Sequence, residues 1–383
     1  MLDCVLTPDL LALRVAFQRH GFDIRLVGGV VRDLLDGRTP KDIDLCTDAT
    51  PEEQRAVYEA EGINHYDTGL SHGTWTVTLN HMPYEITSLR VERDHDGRWA
   101  TVSFTRDWEA DLGRRDLTIN AMALTFDGVF VDPFNGAEDL RNRVVRFVGE
   151  PDARMQEDYL RILRWVRFHA RIAGDREPDA ETVAAARRNA SGLRRISRER
   201  VWSEVRRIIA GPHGPEMMAL MERVGIAEHI DLPIRRDMAP VALAYRGTRD
   251  PVSLMAAHLG SVGAVAEMAM LWKWSNVERD LGLAVARHAG QGLTLADAKA
   301  MVAVNGMPKK WLVEVFRVEG RVDLAEALDL WAVPNFPVTG DDLIAAGMRP
   351  GPVMGKVLAG LRKVWAASDF TAGREVLLAQ VTV

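Results

Sequence analysis

Two aspartates, Asp42 and Asp44 in Lys41-Asp42-Ile43-Asp44-Leu45, combine residue type and spacing suited to chemistry. On a strand, residues two apart share a face, so the two carboxylates converge. They repel unless a cation lies between them, and a donor set made only of oxygen suits Mg²⁺. A cation held this way assists phosphoryl transfer to a hydroxyl, by activating the attacking oxygen and neutralising a leaving pyrophosphate. An Asp-x-Asp pair also arises by chance on solvated strand faces, but the residues upstream change the odds. Leu26-Val27-Gly28-Gly29-Val30-Val31-Arg32-Asp33 reads as a strand entering a helix through two glycines. The first N–H groups of a helix lack intrahelical partners and attract phosphate oxygens. Arg32, one turn in, adds a charged fork.

These residues need a strand and a helix to hold them, and the first 145 residues supply both. Short β-rich runs occur at Asp23–Val27, Thr74–Leu79, Tyr84–Leu89, Met122–Thr125 and Val129–Val131. Beyond them strand signals fade. Gln156–Ile172, Ala180–Asn189 and Glu199–Ala210 show helical periodicity, with breaks at Pro212–Pro215 and Asp231–Pro240. The expected organisation is an α+β head at residues 1–145, a helical neck at 146–215 and a helical body and tail at 216–383. The polar loop Val91–Thr101, with Asp94, His95, Asp96 and Gly97, reads either as an ordinary hairpin loop or as a mobile element over a site.

Composition narrows the class. The 383 residues carry 47% hydrophobic and 27% charged side chains, ordinary for a soluble globular protein. No apolar run is long enough to span a bilayer, and Asp3 and Asp9 near the start fit neither a signal nor a transit peptide. Two cysteines, Cys4 and Cys46, are too few for a disulfide scaffold, so a reducing cytoplasm is expected. The net charge of −6 hides a belt from Arg141 to Ala210 with 17 arginines, 10 acidic residues and no lysine. Two readings fit that belt: a binder of nucleic-acid phosphates, or a solvated helical surface with internal ion pairs.

The stretch from Leu26 to Ala49 resembles the nucleotidyltransferase motif of the class II tRNA nucleotidyltransferase and bacterial poly(A) polymerase family. Four further motifs follow in the family's order: Arg114-Arg115-Asp116-Leu117-Thr118-Ile119-Asn120-Ala121-Met122-Ala123; Asp132-Pro133-Phe134-Asn135-Gly136 through Asp139-Leu140; Glu157-Asp158-Tyr159-Leu160-Arg161-Ile162-Leu163-Arg164 with Arg167-Phe168; and Ile196-Ser197-Arg198-Glu199-Arg200. The resemblance covers roughly the first 210 residues, and five ordered motifs are far more specific than one. It implies a polymerase-β-like head with a mixed β-sheet and an all-helical remainder. It further implies metal-dependent addition of CCA to the 3′ end of tRNA from CTP and ATP, without a template. Asp42 and Asp44 would then be the catalytic, Mg²⁺-binding pair. Nucleotide binding would fall to Gly28, Gly29, Arg32, Arg115, Asp116, Asp158, Arg161, Arg164 and Arg167. In that context Asp116 would accept from a ribose hydroxyl and Arg115 would hold phosphate, although the two also read as an ion pair opening a helix.

The fourth motif has a physical rationale. On a continuous helix Asp158 and Arg161 are neighbours on one face. Cytosine and adenine each offer an amino donor beside a ring-nitrogen acceptor, matching an accepting carboxylate and a donating guanidinium. Uracil and guanine reverse both roles and leave buried polar groups unpaired. A plain i,i+3 ion pair has the same spacing. Arg164 lies one turn further on, positioned to stack on or clamp the nucleotide. Arg167, on the same helix, would face roughly opposite Asp158. Glu85 is either a third acidic group near the metal or a solvated strand residue.

The tail motifs Pro337–Leu343 and Arg349–Lys356 resemble a C-terminal pattern of many of these enzymes, with Lys356 placed either to hold a tRNA phosphate or in an ordinary interhelical connection. The sole His-Asp doublet is His95-Asp96, so no phosphohydrolase activity is expected. Expected partners are the 3′ end and acceptor stem of tRNA with CTP and ATP, and no membrane. Rival functions are poly(A) synthesis, addition of CC or A alone, and RNA binding without catalysis.

Overall fold

The computed structural model describes residues 2, 5–69, 73–93 and 101–381. Asp94, His95, Asp96 and Gly97 lie outside the described residues. The chain divides into two compact units, Met1–Leu232 and Pro233–Val383.

The first unit begins with a mixed sheet. In chain order its head contains α1 (Pro8–Arg19), β1 (Ile24–Val27), α2 (Gly29–Leu35), β2 (Asp44–Thr47), α3 (Pro51–Ala60), β3 (Asn64–Gly69), β4 (Thr74–Leu79), β5 (Met82–Ser88), β6 (Arg90–Arg93), β7 (Thr101–Phe104), α4 (Trp108–Gly113), β8 (Ala123–Leu124), β9 (Phe130–Val131) and α5 (Gly136–Asn142). Strand order is β3-β4-β5-β2-β1-β8-β9, with β6 and β7 forming a separate hairpin. The β2–β5 pairing is parallel and places Asp44 opposite Glu85; β1 runs antiparallel on the other side of β2.

Alternation along the strands buries both faces of the sheet. Leu26, Leu45 and Ile86 join one apolar cluster with Val30, Val31, Phe17 and Tyr58. Val27 and Cys46 point the other way, into a cluster with Leu89, Leu112 and Ala123. This central packing pins the start of β2, where Asp44 sits, beside the turn into α2. The edge strand β3, Asn64-His65-Tyr66-Asp67-Thr68-Gly69, is polar and largely exposed, so it carries no apolar alternation to read.

The remainder of the first unit is helical: α6 (Pro151–Glu157), α7 (Leu160–Ile172), α8 (Ala180–Asn189), α9 (Arg198–Ala210) and α10 (Gly214–Val224). Gln156–Ile172 is therefore not one helix. Asp158 is extended, at φ −151° and ψ 106°, and its Oδ1 accepts the Leu160 N–H at 3.0 Å. A short acceptor side chain that satisfies an orphan N–H restarts the helix without glycine or proline. Trp165, fully buried, donates from Nε1 to the Val145 carbonyl and locks α7 in place.

The second unit is helical throughout its described residues, from Ala239–Gly247 to Arg374–Leu378. Its tail motif builds a small core around Val338, Leu343, Leu361 and Trp365. Thr339 and Asp342 form a capping box at the helix Gly340–Ala345, closing that helix start with the chain's own groups.

Candidate active site

All eleven side chains or glycines singled out from the sequence line one cavity of about 1000 Å³ in the first unit: Gly28, Gly29, Arg32, Asp42, Asp44, Arg115, Asp116, Asp158, Arg161, Arg164 and Arg167. Head and neck residues are up to 139 positions apart in sequence, and only the packing of α7 against the head brings them together.

The acidic end of the cavity is built by β2. Asp42 lies in the bend before the strand rather than on it, and β2 begins at Asp44. Proximity of the pair therefore comes from the bend, not from strand alternation. Burial holds the Asp44 carboxyl above its ordinary range; Asp42 and Glu85 push it further up, and Arg115 and Arg32 oppose them. Asp44 also lines a second cavity of about 380 Å³, which contains Glu85, Cys46, Arg90, Arg114 and Arg115. Glu85 thus acts on Asp44 from that adjoining side. Among the described residues no three His, Cys, Asp or Glu side chains are grouped to hold a metal. The acidic pair itself fits a hard divalent cation: its donors are all oxygen, and Asp42 and Glu85 both add negative charge around Asp44.

The glycine turn meets this acidic end. Gly28 has φ 68° and ψ −118°, a conformation open to glycine, and a Cβ there would lie 2.6 Å from Arg115 Nη1. Its N–H is donated to the Met122 carbonyl, so an anion would meet the N–H groups of the helix turn that begins at Gly29. Arg115 is wedged beneath the turn, donating to Asp111 Oδ2 at 3.4 Å and to Cys46 Sγ at 3.6 Å. Burial, then the Asp111 carboxylate, pushes the Cys46 thiol up to about 12, so it stays neutral.

Arg32 departs from the simple picture of a free charged fork. It is 4% exposed, donates to Asp33 and Asn120, and lies with its guanidinium carbon 4.9 Å from the Phe168 ring centre. Asp116 departs likewise. One oxygen receives Arg164, and the other receives the Asn120 amide and the Leu117 N–H. Burial alone would raise its pKa, but the charge of Arg164 and these hydrogen bonds outweigh burial and lower it. Most of its accepting capacity is spent within the protein, which leaves little for a ribose hydroxyl.

Asp158 and Arg161 are not i,i+3 neighbours of one helix, because α7 starts after Asp158. They face the same cavity with different partners. Asp158 Oδ2 accepts from Arg200 of α9 at 2.7 Å, whereas Arg161 pairs with Glu157. The break also removes the reason for setting Arg167 apart. Arg164, Arg167 and Arg171 fall within about 60° on α7 and all line the cavity. Arg167 donates to Glu204 at 2.7 Å and lies 4.5 Å from the Phe168 ring centre.

Several residues of the cavity escaped the sequence reading. Arg171 continues the three- and four-residue spacing of the arginines on α7, a signal available in the sequence. Asn120 and Arg200 lie inside recognised motifs, but nothing local reveals their partners. The arginine belt is largely an internal fastening. Arg143, Arg146, Arg164, Arg171 and Arg198 pair with Asp36, Asp139, Asp116, Asp33 and Asp231, all outside the belt.

Comparison with known proteins places the chain in a family. Residues 24–146 match the family model "Poly A polymerase head domain", and residues 177–233 match "Probable RNA and SrmB- binding site of polymerase A". The mitochondrial CCA tRNA nucleotidyltransferase 1 of Danio rerio is 36% identical over 99% of this chain and 92% of its own. The human enzyme of that name is 36% identical over 98% of this chain and 90% of its own. A crystal structure of the Bacillus stearothermophilus CCA-adding enzyme in complex with CTP superposes with a TM-score of 0.79 at 27% identity, covering 98% of this chain and 97% of that one. Among the described residues no helix is long and apolar enough to cross a membrane. With its mixed-sheet head, helical neck and full-length likeness to these enzymes, the chain belongs to the CCA tRNA nucleotidyltransferase family.

Proposed function

We propose that this protein adds the 3′-terminal CCA to tRNA without a nucleic-acid template, using CTP and ATP and releasing pyrophosphate. The observation that carries the reading is that Asp42 and Asp44 open into the same cavity as Asp158 and Arg161. A site for chemistry and a pair able to read a base edge are thereby within one nucleotide-sized space.

In this reading the N–H groups after Gly28 and the guanidinium of Arg115 receive the triphosphate. Asp42 and Asp44 hold Mg²⁺, which when bound polarises the phosphate and lowers the pKa of the attacking hydroxyl. Asp158 accepts the amino proton of cytosine or adenine, and Arg161 donates to the neighbouring ring nitrogen. Arg164 and Arg167 border the nucleotide along α7, and Asp116 serves it by fixing Arg164. The tRNA 3′ hydroxyl attacks the α-phosphate and pyrophosphate leaves. Catalysis belongs to residues 1–145, base selection to 146–215 and tRNA holding to 216–383. The cytoplasm is the proposed compartment, on the strength of the sparse cysteines; the Danio rerio and human relatives are named mitochondrial.

The test is extension of a tRNA lacking CCA, with Mg²⁺ and CTP, ATP or both, followed by sequencing. CC from CTP alone and CCA from the mixture is the expected result. Long A tracts, or A only on a supplied CC end, would overturn it in favour of a poly(A) polymerase or an A-adding enzyme. Binding of tRNA without any incorporation would indicate a silent RNA-binding relative.

A further inference from the structure

Six polar side chains form one hydrogen-bonded run along the cavity, and both ends of the run belong to α7. Arg171 Nη2 donates to Asp33 Oδ2 at 2.8 Å. Asp33 Oδ1 accepts from Arg32 Nε at 3.0 Å and Nη2 at 2.9 Å. Arg32 Nη1 donates to Asn120 Oδ1 at 2.5 Å, and Asn120 Nδ2 donates to Asp116 Oδ1 at 3.2 Å. Asp116 Oδ2 then accepts from Arg164 Nε at 2.7 Å. Phe168, between the two α7 arginines, lies against Arg32. The four middle residues are each 8% exposed or less, so water does not substitute readily for the bonds among them.

Asn120 is the one uncharged link. Its carbonyl must face the guanidinium and its amide the carboxylate, because Arg32 only donates and Asp116 only accepts. Without it the run falls into two separate ion-paired groups. One holds α2 to the C-terminal part of α7, and the other holds Arg164 near its start. Nothing in the run would then connect the glycine turn with the base-reading end of the cavity.

We propose that Asn120 is a positioning residue for nucleotide selection, tying Arg32 to Arg164 through Asp116 and so setting the height of α7 above the Gly28–Gly29 turn. This rests on the reading that the cavity takes a nucleoside triphosphate. A base edge read by Asp158, just before α7, and Arg161, in its first turn, tolerates little displacement, and a shift of about 1 Å costs roughly a hundredfold in related situations. Selectivity is therefore the property that Asn120 protects most directly.

The test compares wild type with Asn120→Asp and Asn120→Ala. The Asp variant keeps size and the acceptor for Arg32 but sets a carboxylate against Asp116. Steady-state kinetics with CTP, ATP and UTP on a tRNA lacking CCA should show KM for CTP raised about tenfold, the loss expected for a hydrogen bond to a charged group. Preference for CTP over UTP should fall by a similar factor, while kcat for CTP changes less. Unchanged KM and preference in both variants would overturn the proposal. So would a fall in kcat alone, or failure of both variants to fold, since Asn120 would then be structural. If wild type itself adds nothing, the functional reading fails, and equilibrium dialysis with CTP and Mg²⁺ still decides on Asn120. Binding weakened about tenfold in the variants supports its role, and equal binding refutes it.

Discussion

Arg164 reaches Asp116 Oδ2 through both Nε and Nη2, each at 2.7 Å, and this pair joins the neck helix to the segment that follows α4. A carboxylate expected to serve the substrate is thereby a fastening for a side chain of the cavity wall. Removing one member of a buried pair leaves the other uncompensated, at a cost of about 3–5 kcal/mol, and the partial exposure of Arg164 reduces this to about 2 kcal/mol. Asp116→Ala should lower the thermal midpoint of the first unit by roughly 5 °C. Differential scanning calorimetry checks this, and an unchanged midpoint would show that the pair contributes nothing to stability.

The same pair has a pH signature. The folded pKa of Asp116 is depressed below the ordinary 3.8. Its contribution is therefore fully present above about pH 4 and is lost as pH falls through the lower, folded value. The midpoint difference between wild type and Asp116→Asn should be constant from neutral pH down to about pH 4 and shrink below it. A difference that grows on acidification would reverse the sign and contradict the assignment.

Asp42→Ala and Asp44→Ala should each reduce nucleotide incorporation by roughly a thousandfold or more, since the lost contribution is several kcal/mol of transition-state stabilisation. Circular dichroism should remain that of wild type, because neither residue belongs to the buried core. Chelation should silence the wild type, and Mg²⁺ should restore it. Full activity in either variant would remove the acidic pair from the chemistry.

Asp158→Ala should relax rejection of UTP and GTP, or abolish activity altogether. Arg200→Gln probes the same carboxylate from behind, because Arg200 Nη2 donates to Asp158 Oδ2 at 2.7 Å. That pair is partly exposed, so its loss should cost at most about 1 kcal/mol and relax selectivity by about fivefold. Competition assays with mixed nucleotides measure both. Wild-type selectivity in Asp158→Ala would refute the base-reading role.

Gly28→Ala places a Cβ 2.6 Å from Arg115 Nη1 on a backbone of positive φ. The backbone strain alone is about 1–3 kcal/mol. KM for CTP and ATP should both rise, with the fold retained by circular dichroism. Wild-type KM values would mean that the turn and Arg115 do not receive the triphosphate.

Much of this architecture was legible in the residues. β4 matched its apolar run at Thr74–Leu79, α8 matched Ala180–Asn189, and all eleven candidate site residues line one cavity. Alternation and helical spacing express which side of an element is buried, and that is a local property. The break at Asp158 was hidden because a side chain capping Leu160 N–H competes with helix continuation without disturbing the apolar periodicity around it. The polar edge strand β3 was hidden because pairing along one edge needs no apolar face.

Sequence alone determined the head-and-helices order, the glycine turn and eleven residues of the cavity lining, but not Arg171, Arg200 or Asn120. Only the tertiary structure decided what each charge meets: Asp33 with Arg171 across 138 residues, Arg32 with Asn120 across 88, and Asp116 with Arg164 across 48. Residue type and spacing set which groups an element presents. The partner a buried guanidinium or carboxylate finds depends on how distant segments pack, and burial makes that choice binding because an unpaired charge there is costly.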